Sequence, residues 1–232
     1  QTNPELIKKG VENIAAETCF PIKVAHGHVM DMLDKKIDFL FLPSVVNLPN
    51  ASPKLVHSYL CPYVQGLPYM VRSAMKLDGR GFKVLQPTFH MEWGEEHLKD
   101  IFRQMARDLG KGGQEVEKAI ETALEAQKRF CQILENRGKE VLKTLGDNDI
   151  ALVIVGRPYN SCDSGVNLNL PDKLRELGVL AIPMDFLPLD IPAIAEDYPH
   201  MYWRSGQKII AAARAIASDR RLYPLYITNF GC

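Results

Sequence analysis

One stretch constrains the fold more than any other. Residues 150–155 (IALVIV) form an unbroken aliphatic run that ends in Gly156-Arg157-Pro158-Tyr159. A run of that length with no polar alternation suits a strand buried on both faces, as in a parallel sheet. Residues 170–177 then predict a helix stopped by Gly178, and residues 179–184 a second strand. Strand, helix and strand in that order make a βαβ unit, whose crossover is right-handed in nearly all parallel sheets. Residues 202–218, rich in Ala and Ile, predict a further helix. Residues 222–228 predict a last strand that runs into Asn229-Phe230-Gly231-Cys232.

The earlier part of the chain repeats the alternation less regularly. Residues 4–16 carry Leu6, Ile7, Val11 and Ile14 at helical spacing, and Pro21 opens a second helix through about Lys35. Residues 38–43 (DFLFLP) read as a buried strand, 44–53 as a loop, 67–75 as a helix and 83–87 as a strand. Two helices follow, at 92–109 and 114–145, separated by Gly110, Gly112 and Gly113. The second is long enough to brace two lobes, with Gly138 its weakest point. The expectation is an α/β fold of open, mostly parallel, Rossmann-like sheets in two lobes with a long bracing helix. Residues 1–80 form the first lobe, 81–146 a helical connection and 147–232 the second lobe.

Charge narrows the function classes. Lys plus Arg equal Asp plus Glu at 28 each, so no whole-chain field favours nucleic acid or an anionic membrane. No apolar stretch approaches a membrane span, and residues 1–18 lack the form of a signal peptide, so a cytoplasmic protein is expected. Five scattered cysteines do not make a disulfide framework at this length. The start at Gln1 and the stop at Cys232, straight after a strand, read as a piece of a longer polypeptide.

Chemistry is expected where strands end and helices begin, because helix amino ends expose unpaired N–H groups. Gly156-Arg157 and Gly231-Cys232 occupy such positions. Cys19 and Cys61 each precede a predicted helix with proline at or near its start, and a helix amino end favours the thiolate that binds metal. Soft thiolates select iron–sulfur clusters, zinc or copper(I). The spacing has no C-x-x-C pair, so packing cysteines and metal ligands both stay open, as they do for Cys162 in a polar loop. Cys131 beside the stripe of the long helix reads as a packing residue. Glu17 is either a proton-handling group or a helix-start carboxylate. His26 and His28 suit proton transfer, but two positions apart on a helix they face different ways. Arg157 can hold a phosphate or carboxylate by its fork, or an ordinary ion pair.

Read together, Glu17-Thr18-Cys19-Phe20-Pro21 with Ala25-His26-Gly27-His28, Cys61-Pro62-Tyr63, Val155-Gly156-Arg157-Pro158-Tyr159 and Asn229-Phe230-Gly231-Cys232 resemble the acyl-CoA dehydratase activase-related proteins. The resemblance spans nearly the whole chain. It implies a module similar to the cluster-bearing subunits of 2-hydroxyacyl-CoA dehydratases and benzoyl-CoA reductases, with Cys19, Cys61 and Cys232 at the metal-ligand positions. It implies a 4Fe-4S or double-cubane iron–sulfur cluster, an ATP-hydrolysing activase as partner, and acyl-CoA as the substrate class. Glu17 and His26 would be the catalytic groups and Arg157 a cofactor-binding one. The chain departs from the family pattern by ending at the third cysteine, and no phosphate-binding Gly-rich loop occurs in it. A second reading stays open: a metal-free scaffold that binds acyl-CoA or nucleotide and docks onto an ATPase.

Overall fold

The structure, a computed structural model, describes residues 1–229. It begins with a helical hairpin, α1 (Pro4–Glu12) and α2 (Phe20–Leu33). Asn3 starts α1 by accepting the Leu6 N–H at 2.9 Å, and Pro4 supplies a pre-set first turn. The two helices touch backbone to backbone. A methyl group built on Gly10 would lie 1.9 Å from the Lys23 carbonyl oxygen, and one on Gly27 would lie 2.0 Å from that of Leu6. Only glycine fits at either position.

Next come β1 (Phe39–Phe41), β2 (Ser44–Asn47), α3 (Pro62–Met75), β3 (Lys83–Leu85) and β4 (Thr88–His90). β1 pairs with β3 and β2 with β4, both in parallel. The strands β2 and β4 are where the sequence reading fell short, since residues 44–53 read as loop. Pro43 and Pro87 interrupt each run, but the ladder continues across the gap through Leu42 N–H to Leu85 O and Ser44 N–H to Pro87 O, both 2.9 Å. Val29, Leu40, Leu42, Val71, Met75 and Leu77 form the core between these strands and α2 and α3.

A 3-10 turn leads into α4 (Glu95–Asp108), and α5 (Gly113–Thr144) follows as the long helix predicted. Arg103 of α4 grips Glu117 of α5 with two bonds of 2.7 and 2.9 Å. The apolar stripe of α5 is buried only near its ends, at Val116 and Ile120 against α4 and at Gly138 and Leu145 against the second lobe. Between them Phe130 and Ile133 are 54% and 57% exposed. Cys131 is exposed as well, so its expected packing role is corrected: α4 has ended and the second sheet has not begun where Cys131 sits.

The second lobe holds β5 (Ala151–Gly156), α6 (Pro158–Ser161), α7 (Leu170–Glu176), β6 (Leu180–Pro183), α8 (Ile191–Ile194), α9 (Arg204–Ala217) and β7 (Leu222–Ile227). The sheet order is β6-β5-β7, all parallel, with β5 central as its apolar run requires. The fold is α/β with short parallel strands in small open sheets, in agreement with the expectation. Ala151, Val153, Val155, Ile182, Met184 and Ala212 form the second core, and α5 docks on it through Val141, Leu142 and Leu145. At that docking point a methyl group on Gly138 would sit 1.8 Å from the Phe186 carbonyl oxygen.

Helix propensity alone would make Gly138→Ala stabilising by about 1 kcal/mol. The Phe186 contact reverses the sign: a net loss of about 2 kcal/mol is expected in urea unfolding. The exposed Ala126→Gly change should cost only about 1 kcal/mol, by propensity.

Candidate functional site

Cys19 and Cys61 occupy equivalent places. Each is the residue immediately before a helix, α2 or α3, with proline in the first turn and extended backbone at the cysteine itself. Each carbonyl accepts the first helical hydrogen bonds, Cys19 O from Ile22 and Lys23 N–H, and Cys61 O from Val64 and Gln65 N–H. Neither thiol caps its own helix and neither is in a disulfide. Both sulfur-bearing residues are half-buried at the electropositive end of a fourteen-residue helix.

The topology puts these two helix starts together. α2 leads into β1 and α3 leads into β3, and β1 and β3 are paired in parallel, so α2 and α3 run in the same sense. The helices pack on each other. Val29 and Val71, which lie equally far past Cys19 and Cys61, share one core cluster. The two thiols therefore stand at the same end of the helix pair.

The second lobe reaches Cys61 through Tyr59. Segment 58–60 lies antiparallel to β2, with Leu60 N–H to Val46 O at 2.9 Å, and on its other side Tyr59 bridges Trp203. The bonds there are Tyr59 N–H to Tyr202 O at 2.8 Å and Arg204 N–H to Tyr59 O at 2.9 Å. Arg157, at the carboxyl end of β5, lays its guanidinium 4.9 Å from the Trp203 ring centroid and bonds the Tyr159 hydroxyl at 2.5 Å. Beside it Asn229, just past β7, donates to Asn160 Oδ1 at 2.9 Å. Arg204 is half-buried at the start of α9, and burial pushes its guanidinium below the usual arginine range.

A second link runs through Thr2. Its hydroxyl donates to Asp163 Oδ2 at 2.7 Å and so accepts from His28 Nε2–H at 2.9 Å, which ties α2 to the loop after α6. Asp163 Oδ1 accepts the Gly165 and Val166 N–H groups, both at 2.9 Å. Burial pushes the Asp163 carboxyl up, but the Thr2 hydrogen bond, these two backbone bonds and the nearby His28 outweigh it and hold it below the ordinary carboxylate value.

The other sequence candidates are dispersed. Glu17 is exposed and pairs with Lys23. His26 is 1% exposed, with Nδ1 2.8 Å from Ile22 O, while His28 turns to Thr2, so the two histidines face different partners. Cys162 is exposed, next to Ser161 Oγ at 3.5 Å. Cys232 lies outside the described residues. Among the described residues no group of three or more His, Cys, Asp or Glu is gathered around a point that could hold a metal. Thr2, Tyr59, Trp203 and Asp163 were not picked out from the sequence. Trp203 fell inside the helix predicted over residues 202–218, where a tryptophan in the first turn was the one available signal.

A protein-family model described as a CoA enzyme activase uncharacterised domain matches residues 1–187. No curated protein and no solved structure matches the chain. No helix among the described residues is long and apolar enough to cross a membrane.

The Thr2 link sets a pH test. A depressed folded-state carboxyl contributes stability that is present above its unfolded value, near 3.8, and lost as pH falls through the lower folded value. Thr2→Ala should cost about 1–2 kcal/mol near neutral pH, and the gap from the parent should narrow below about pH 4. Urea unfolding across that range measures it.

Proposed function

The chain belongs to the CoA enzyme activase domain family, and from that premise we propose that it is the iron–sulfur module of an ATP-dependent, low-potential redox system related to 2-hydroxyacyl-CoA dehydratases. The observation that carries the proposal is the matched placement of Cys19 and Cys61 at the adjacent amino ends of two parallel helices. Free thiols, half-buried, with no bond to their own helices, fit thiolate ligation of a soft metal centre.

In this reading Cys19 and Cys61 are two ligands and Cys232, by the family resemblance, the third. The cluster would be of 4Fe-4S or double-cubane type and would supply electron transfer at low potential. The chain's own part is to hold the sulfurs, limit solvent and set local charge. Arg157, stacked on Trp203 beside Tyr59, offers positive charge at the seam where the lobes meet, suited to an anionic cluster or an acyl-CoA phosphate. Glu17 and His26 are the proposed proton-handling groups. An ATP-hydrolysing activase, as another domain or chain, would drive the electron.

Anaerobically purified full-length protein should contain on the order of four irons per chain for a 4Fe-4S cluster, or about twice that for a double cubane, with a similar amount of sulfide, and absorb broadly near about 400 nm. Cys19→Ser and Cys61→Ser should each lose most of that iron and colour, while Cys131→Ser and Cys162→Ser keep it. Iron-free protein, or iron indifferent to Cys19 and Cys61, overturns the proposal and leaves the metal-free scaffold reading.

A further inference from the structure

We infer that the exposed face of α5 is the interface between two copies of this chain, which pair antiparallel along it. Ala119, Ala123, Ala126, Phe130 and Ile133 recur at alternating steps of four and three residues, the spacing of a helix–helix seam, and all five are exposed. This seam is separate from the stripe that packs on α4 and the second lobe. Val116, Ile120 and Gly138, which are buried, lie about a quarter of the way round the helix from it.

The seam is small in its amino half and large in its carboxyl half. Beside Ala119 and Ala123 lies a groove of about 240 Å³, walled by Phe102, Met105 and Leu109 of α4. A second α5, turned end for end, sets its Phe130 against Ala126 and its Ile133 against Ala123 at that groove. The two-fold axis repeats both contacts, so one surface supplies the projection and the recess. Setting large residues against small ones fills such a seam without voids. A parallel pair would meet Phe130 with Phe130 and alanine with alanine, leaving the groove unfilled.

Charge selects the same partner. Glu115, Lys118, Glu125, Arg129, Glu140 and Lys143 run along one flank of the seam, all exposed. In the antiparallel pair Glu115 meets Lys143, Lys118 meets Glu140, and Glu125 lies diagonal to Arg129 near the axis, each twice. In a parallel pair each would face its own copy, like charge on like charge. Within its own chain Glu115 pairs with Lys111 and Glu140 with Arg137, both at the exposed surface, where an ion pair is weak and free to exchange partners. The halves of α5 agree as wholes: residues 113–126 hold four glutamates and one lysine, and residues 127–144 five lysines or arginines and two glutamates.

Sedimentation equilibrium of the whole protein should show a reversible monomer–dimer exchange. Phe130→Glu, at an exposed position that leaves the monomer fold intact, should weaken the dimer at least about a hundredfold, since the lost burial counts twice in a symmetric pair. A carbodiimide, which joins a carboxylate to an amine in direct contact, should link Glu115 to Lys143 and Glu140 to Lys118, as read by peptide mass analysis. Those pairs are about 42 and 33 Å apart along one helix, so the links form only between copies that run in opposite directions. Glu115→Lys and Lys143→Glu should each weaken the dimer, and together restore it. A protein that stays monomeric, a dimer indifferent to Phe130→Glu, or links from α5 to another surface in place of these two overturns the inference. Association is read without iron or activity, so its failure leaves the thiolate assignment standing, and absence of iron leaves the interface standing.

Discussion

The parallel pairing of β1 with β3 is the constraint from which the candidate site follows. Parallel strands cannot be joined by a tight turn, so each must be approached by its own helix, and the two helices then point the same way. A proline in the first turn fixes where each begins, and in both cases the residue left at that junction is a cysteine. Two thiols separated by forty-odd residues of sequence reach one end of one helix pair for a reason of topology, with no local motif needed.

The glycines of the first lobe serve the same end. Gly27, which sits between two histidines and invites a functional reading, is there because the Leu6 carbonyl approaches the place its side chain would fill. That contact and its partner at Gly10 lock α1 on α2, and α1 in turn positions Thr2 over the loop after α6. On the opposite flank Gln207, fully buried, donates to the His57 and Met201 carbonyls at 2.7 Å each, and so supports the Tyr59–Trp203 bridge on which Arg157 rests. The seam between the lobes is thus held by paired polar groups, which fix geometry more sharply than apolar contact alone.

Legibility in the sequence followed the physics of each segment. Residues 150–184 were readable because β5 is central and buried on both faces, so its run has no polar interruption. β2 and β4 were not, since Pro43 and Pro87 broke the pattern and the hydrogen bonds that bridge the breaks are long-range. Cys131 was misjudged because a helical stripe shows only which residues share a face, and the face of α5 around Phe130 is mostly exposed. Cys19 and Cys61 stood out through their prolines. Thr2 and Asp163 could not, because neither residue means anything until the chain brings them 2.7 Å apart.

The central claim is that Cys19 and Cys61 share one end of a parallel helix pair, and a distance measurement on the thiols tests it without reference to any cluster. A bismaleimide spanning about 8–10 Å, the separation of packed helix axes, should join them in the reduced, metal-free protein. Peptide mass analysis is expected to find the Cys19–Cys61 cross-link, with Cys131 and Cys162 carrying only single-ended adducts. Single-ended adducts on both Cys19 and Cys61, with no peptide joining the two, would contradict the account.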